Sequence, residues 1–299
     1  MPRCTIVAAF LVPAVMCAAS APAATASRPA SYEVKRFKDV KYYSGQDAHA
    51  TKHRLDLYLP RGAERFPVLF FVHGGAWSSG DKGRFSRLGT AFARRGIGVV
   101  ATNYRLTPDV THPAHIEDVA RAFAWTHKHI ADYGGDPEKL FLCGHSAGGH
   151  LVALLALDEQ YLKAHELTRG SIAGVIPISG VFNIANGLGP IRRSVFGDDE
   201  AGRRDAAPIT HAKKLAPGDE AGLPPFLILV AQHDPKRLRD DAAELRDTLD
   251  KTGHKPEFLD AARRTHGTII TRLGSRFDRA TRELLRFIQE HSEPVAPDG

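Results

Sequence analysis

This chain predicts an α/β fold, a mostly parallel central sheet of about eight strands with helices on both faces. Three observations predict it. Short continuous apolar runs recur from about residue 32 onward, stretches of helical periodicity lie between them, and two Gly-rich motifs each follow directly on an apolar run. Runs without polar alternation read as strands buried on both faces, the pattern of parallel strands between helix layers.

The first pair of strands differs from the rest. Residues 54–59 alternate Leu55, Leu57 and Leu59 with Arg54, Asp56 and Tyr58, which predicts a half-buried antiparallel strand. It pairs with residues 34–43 across the turn-rich stretch 44–52. Buried strands follow at 68–72, 97–101, 140–143, 172–178 and 226–230, with a last strand at 256–259. Ile116, Val119, Ala120 and Phe123 share one helical face, as do Ala242, Leu245 and Leu249, and residues 151–157 form a third helix. Phe277, Ala280, Leu284 and Ile288 mark a terminal helix. Pro177 falls inside a run read as a central strand, where it removes a ladder hydrogen bond, so it is expected in the strand's last turn or in a bulge. The polar, Gly-rich residues 181–225 predict an insertion over the sheet edge. With 299 residues, 43% hydrophobic and 25% charged, one catalytic-size domain over residues 27–292 is expected, and 293–299 read as a frayed tail.

The amino terminus reads as a targeting segment. Residues 5–19 are apolar, Arg3 precedes them, and Ala21-Pro22-Ala23 and Ala24-Thr25-Ala26 follow. This is the layout of a secretory signal peptide over residues 1–26, and the apolar run is shorter than the roughly 20 residues that span a bilayer. An exported product without a stable membrane anchor is expected. Met16, where lipoprotein processing needs a small residue, argues against a lipidated Cys17. Removal of the signal takes Cys4 and Cys17 with it, leaving Cys143 as a small core residue in a strand rather than a nucleophile. The net charge of +6 is scattered with no polybasic block interleaved with aromatics, so a nucleic-acid partner is not expected. The 15 histidines show no ligand-spaced pairing with Cys or Glu, and neither a metal nor a cofactor is expected.

The strongest chemical signal is Gly144-His145-Ser146-Ala147-Gly148-Gly149, between the apolar run ending at Cys143 and the helical run beginning at Leu151. A sharp strand-to-helix turn presents the serine at the carboxyl edge of the sheet, and the glycines keep side chains out of the way of neighbouring elements. Ser146 is therefore the candidate nucleophile. The second signal, His73-Gly74-Gly75-Ala76-Trp77, follows the run 68–72. Acyl transfer builds negative charge on a carbonyl oxygen, and the N–H groups of Gly75, Ala76 and Ala147 are the candidate donors to it. His73 is read as a loop-holding residue, and Trp77 as a wall of the substrate pocket or a core residue.

Taken together, these motifs with Gly80-Asp81-Lys82, Asn103-Tyr104-Arg105-Leu106, His112-Pro113-Ala114, Glu117-Asp118-Val119 and Tyr133-Gly134-Gly135-Asp136-Pro137 make the chain resemble the esterase branch of the α/β hydrolases. That branch includes hormone-sensitive-lipase-like carboxylesterases, bacterial feruloyl and acetylxylan esterases, and kynurenine formamidase. The resemblance runs from about residue 39 to 288. It departs at Ala76, where many relatives carry a third glycine. It implies the α/β-hydrolase fold and the chain order serine, acid, histidine. Asp234, beyond the strand 226–230, matches the acid position, with Asp240 and Asp241 as rivals that already belong to a helix. His266 follows the last strand; the competing His254 precedes it and belongs at the opposite end.

What the resemblance implies is a serine carboxylesterase working through an acyl-enzyme on Ser146, on small acyl esters such as acetyl or feruloyl groups of plant polysaccharide. An arylformamidase-like amide hydrolase and a non-catalytic binding protein of the same fold stay open; an export signal argues against the first and the presence of every motif against the second. Between the expected cleavage points, after Ala23 or Ala26, and the first strand there are too few residues for a helical cap. The insertion has few large apolar residues with which to line a long acyl tunnel, so short acyl groups are expected.

Overall fold

The apolar runs assemble into one eight-stranded sheet in the order β1-β2-β4-β3-β5-β6-β7-β8. The computed structural model describes Met1 and residues 31–184, 189–216 and 222–292, with backbone alone at 191 and 192. The signal segment, save Met1, and the tail 293–299 lie outside the described residues. The strands are β1 Val34–Lys41, β2 Arg54–Pro60, β3 Phe66–Val72, β4 Gly98–Thr102, β5 Gly135–His145, β6 Gly174–Ile178, β7 Leu227–His233 and β8 Glu257–Thr265. β2 pairs antiparallel with β1 and with β4; every other pairing is parallel.

The uninterrupted apolar runs serve two helix layers at once. Successive strand residues point to opposite faces, so Val68, Phe70, Val72, Leu140 and Leu142 enter one core, while Leu69, Phe71, Phe141 and Cys143 enter the other. The helices are α1 Ser86–Ala93, α2 Ala114–His129, α3 Ala147–Leu157, α4 Gln160–Lys163, α5 Pro190–Phe196, α6 Glu200–Asp205, α7 Pro208–Ala212, α8 Lys236–Lys251, α9 His266–Thr271 and α10 Arg279–Glu290. Apolar residues of α2, α3 and α8 pack into the first core; α1, α9 and α10 cover the second. Every residue of α3 is buried, which is why its sequence is apolar all round.

Three expectations need correcting. β2 is buried on both faces rather than one: the Tyr58 ring lies against Gly89 of α1, and Asp56 is paired with the Lys82 ammonium at 2.7 Å. Pro177 lies at the end of its strand, as one of the two expectations had it: it is the penultimate residue of β6, in regular register with β5. Val175 donates to Pro225 O and Ser179 to Leu229 O on either side of it, so the proline costs a single rung towards β7. β8 runs on to Thr265 through exposed Ala262 and Arg263, because an edge strand has one open flank and shows little apolar pattern. Phe277 is 78% exposed and precedes α10, whose buried face is Ala280, Leu284, Phe287 and Ile288.

The insertion carries short helices of its own. It folds into α5, α6 and α7, with α7 against α3 and α8, and it buries Val181, Phe182, Ile184, Val195, Phe196 and Ile209 in the first core. Its large apolar residues, among those described, face inward.

Candidate active site

β5 and α3 meet at Ser146, whose backbone holds φ 56° and ψ −116°. A positive φ in a residue with a Cβ costs on the order of 1–3 kcal/mol and persists only where the surroundings dictate it. Here they do: the Ser146 N–H donates to Ile178 O at 2.9 Å and its carbonyl accepts from His150 N at 3.0 Å. Gly148 lets α3 approach β3, since a Cβ there would lie 2.1 Å from Val72 O. The serine is left half-buried at the carboxyl end of the parallel strands.

The structure brings Ser146, His266 and Asp234 together from separate parts of the chain. His266 opens α9, whose first turn is fixed by a capping box at Thr265. Its Nδ1 lies 2.7 Å from Asp234 Oδ1 and its Nε2 lies 3.0 Å from Ser146 Oγ. A carboxylate only accepts, so Nδ1–H donates to Asp234 and Nε2 is left to accept from the serine hydroxyl. Asp234 is 5% exposed. Burial alone would raise its pKa, but bonds from His266, from Ser179 Oγ at 2.6 Å and from Ala231 N at 2.7 Å outweigh it and hold the carboxyl below its ordinary value.

Of the alternatives, Asp240 is exposed and pairs with Lys236, while Asp241 is buried and accepts from Phe182 N and Asn183 N at 3.2 and 3.3 Å, holding the start of the insertion. Both lie in α8, as expected, and neither reaches His266. His254 lies in the turn between α8 and β8, its N–H bonded to Leu249 O.

Gly75, Ala76 and Trp77 carry φ of 125°, 52° and 57°, a run of left-handed residues that turns the loop after β3 back on itself. Ser78 N and Ser79 N donate to Gly75 O, whereas the N–H groups of Gly75 and Ala76 donate to no described residue. Ala147 N–H belongs to the first turn of α3, where helix donors have no intrahelical acceptor. His73 sits under the loop: Nδ1–H donates to Gly74 O at 2.8 Å, the ring stacks on Tyr104 at 4.6 Å, and burial pushes its pKa down to about 4.

Trp77 is 2% exposed, a core anchor rather than a pocket wall. Its ring packs edge-on against His150 and Phe196, and its Nε1–H donates to His150 Nδ1 at 3.2 Å. An indole only donates, so His150 must accept at Nδ1 and donate Nε2–H to Ala206 O, 2.8 Å away. One neutral imidazole therefore joins the loop after β3, the helix of Ser146 and the insertion.

Sequence reasoning missed His150, Ser179 and His145. His145 donates Nε2–H to His266 O at 2.9 Å, with ring centroids 4.6 Å apart; burial first, then His266, pushes its pKa down to about 4. Their signal is faint: each is a polar residue inside an apolar stretch or at a strand's carboxyl end. Elsewhere the fold gathers Asp158, Asp205 and His211, with one ligand atom of each within 4.8 Å of the others, a grouping that sequence spacing could not reveal. There His211 Nε2–H is already spent on Asp205 O at 2.6 Å.

A family model described as BD-FAE matches residues 55–249. The probable carboxylic ester hydrolase LipM of Mycobacterium tuberculosis (strain ATCC 25618 / H37Rv) is 33% identical over 68% of this chain and 52% of that protein. The probable isoprenylcysteine alpha-carbonyl methylesterase ICME of Oryza sativa subsp. japonica is 32% identical over 73% of this chain and 56% of that protein. The chain spans about half the length of the curated relatives it matches. Among solved structures, a truncated carbohydrate esterase from gut microbiota superposes with a TM-score of 0.71 at 22% identity, covering 87% of this chain and 97% of that one. Esterase B from Lactobacillus rhamnosis gives 0.70 at 22% identity, covering 87% and 86%. The fold is that of the α/β hydrolases, and by its family match the chain belongs to the BD-FAE family.

Proposed function

We propose that the protein is a serine carboxylesterase that hydrolyses small acyl esters, among them acetyl or feruloyl esters of plant polysaccharide. The observation that carries this reading is the unbroken chain of hydrogen bonds from Ser146 Oγ through His266 to Asp234. In the mechanism, Ser146 Oγ attacks the ester carbonyl carbon while His266 Nε2 takes its proton. Asp234 holds the ring and stabilises the imidazolium. The carbonyl oxygen, now an oxyanion, is held by the N–H groups of Ala147, Gly75 and Ala76. Collapse of the tetrahedral species expels the alcohol, which takes the proton from His266. Water, deprotonated by the same imidazole, then attacks the acyl carbon and frees Ser146.

Short acyl specificity is supported by the insertion, whose Val195, Phe196 and Ile209 are turned into the core, and by Trp77, which Phe196 covers. Relatives named as esterases support the ester bond as the target. Export is supported by the apolar residues 5–19 and the small residues behind them; N-terminal sequencing of material from the culture medium or periplasm should begin at residue 24 or 27, and an intact Met1 there would refute it.

The test is a series of p-nitrophenyl esters from acetate to palmitate, with wild type and Ser146→Ala. Wild type should peak at acetate or butyrate with no rate jump when substrate forms micelles, and Ser146→Ala should lose several orders of magnitude with its fold intact. Full activity in Ser146→Ala sinks the serine mechanism, and a maximum at palmitate sinks the short-acyl reading.

A further inference from the structure

The strand end that carries His266 also carries an arginine-rich surface that the reaction does not use. Arg263 is exposed, its backbone held by Gln232 Oε1 at 2.8 Å. Arg264 reaches to Asp278 at 2.8 Å and ties the turn before α10 to the end of β8, two residues from His266. Arg272, Arg276, Arg279 and Arg282 on that stretch are all exposed. Among the described residues, Arg263, Arg272, Arg276 and Arg279 have no acidic side chain within ion-pair distance, and three of them fall within eight residues of chain. Asp278 is already taken by Arg264 and by the first turn of α10. In the middle of this surface stands Phe277, 78% exposed, with the Arg276 guanidinium 4.7 Å from its ring centre.

Unpaired like charges held close together repel one another and favour an anionic partner. With Arg276 over one face, the other face of an exposed aromatic ring is a flat platform for the C–H face of a sugar, and a guanidinium fork matches a carboxylate. The patch holds a single large apolar side chain, because α10 buries its apolar face, so it offers little to insert into a lipid surface. Resting on the esterase reading, we propose that this surface, Arg263, Arg272, Arg276, Arg279 and Phe277, binds an acidic polysaccharide whose ester-linked acyl groups are cleaved at Ser146. The ring stacks on a sugar while the arginines take the carboxylates of uronic acid residues along the same strand, holding the polymer beside the site.

The experiment compares acetylated glucuronoxylan, acetylated glucomannan and p-nitrophenyl acetate as substrates of the full-length processed protein. The screening length falls from about 30 Å at about 0.01 M salt to about 8 Å at about 0.15 M. Over that range kcat/KM on the acidic polymer should fall by about ten-fold through KM, with the other two substrates changing less than about two-fold. The exposed triple variant Arg272→Gln/Arg276→Gln/Arg279→Gln should lose the acidic-polymer advantage and its salt dependence while cleaving p-nitrophenyl acetate as wild type does, and Phe277→Ala should raise KM on the polymer alone. Polygalacturonate should inhibit cleavage of the acidic polymer in wild type and not in the triple variant. Equal kinetics of wild type and triple variant on glucuronoxylan, or duplex DNA competing as well as polygalacturonate, would overturn the proposal. Failure of wild type on p-nitrophenyl acetate would instead overturn the esterase reading on which it rests.

Discussion

Asp234 and Asp241 are both buried carboxylates, and their partners separate them. Asp234→Asn removes the charge that orients and stabilises the His266 ring, and turnover should fall about 10³- to 10⁴-fold with the fold retained. Asp241 accepts two backbone N–H groups of the insertion. Asp241→Ala should lower stability by about 1–3 kcal/mol with turnover per folded molecule retained, whereas Asp241→Asn, which keeps an acceptor, should be mild. Denaturant melts beside kcat values decide; a turnover defect in Asp241→Asn would mean that the insertion is coupled to the chemistry. His150→Leu leaves the Trp77 N–H without its acceptor and frees the loop bearing Gly75 and Ala76, so kcat should drop about ten-fold or more with KM little changed. His150→Gln, with a carbonyl in place of Nδ1, should recover part of it. Ser146 and His266 were legible in the sequence because motif and chain order fix them. Ser179 and His150 were not, since what makes them matter is a partner far away in the chain: Asp234 for one, Trp77 and Ala206 for the other.

At the scale of elements, two loops and one helix set the geometry. Gly148 is where α3 crosses β3, and a methyl group added there would overlap Val72 O at 2.1 Å, main chain that cannot yield. Gly148→Ala should cost more than about 3 kcal/mol or prevent folding, read by thermal melting and soluble yield. Ala76 is the reverse case. At φ 52° it holds a conformation that costs a residue with a Cβ about 1–2 kcal/mol, while its expected contribution is a backbone N–H that glycine also has. Ala76→Gly should leave turnover within about two-fold and stability unchanged or about 1 kcal/mol higher, part of the relief being returned as unfolded-chain entropy. A large loss of turnover would show that the methyl group itself touches substrate. Strands β3 to β7 were legible from their apolar runs, because burial on both faces leaves no room for polar residues. The exposed end of β8 and the inward face of the insertion were not, because an edge strand and a short helix each bury too little to imprint a pattern.

Across the whole molecule, acid stability follows from five buried imidazoles. Burial, the leading cause for each, pushes His73, His112, His115 and His145 down from 6.5 to about 4 and His150 to about 3. Between about pH 4 and 6.5 the unfolded chain therefore binds protons that the folded one excludes, so stability rises with pH across this window and is lost as pH falls through it. Each proton contributes about 1.4 kcal/mol per pH unit. Asp118, which bonds from His53 and Arg105 hold at about 2 against the opposing effect of burial, adds a further loss below its ordinary 3.8. Melting temperature should be nearly flat above about pH 7 and fall steeply below about pH 6, with several protons taken up on unfolding at pH 5. A melting temperature that stays constant from pH 7 to pH 5 would mean that these imidazoles are solvated.

The sequence by itself determined the α/β architecture, the strand that ends in Ser146 and the loop that follows β3, because each rests on local rules: apolar periodicity, strand-to-helix punctuation and the glycines that sharp turns require. Only the tertiary structure decided that Trp77 is an anchor rather than a wall, that Asp241 holds the insertion, and that unpaired arginines surround an exposed phenylalanine beside the strand end of His266. The reason is that a side chain's work depends on what faces it. Burial, hydrogen-bond partners and uncompensated charge arise between segments distant in the chain, and spacing along one strand of sequence does not carry them.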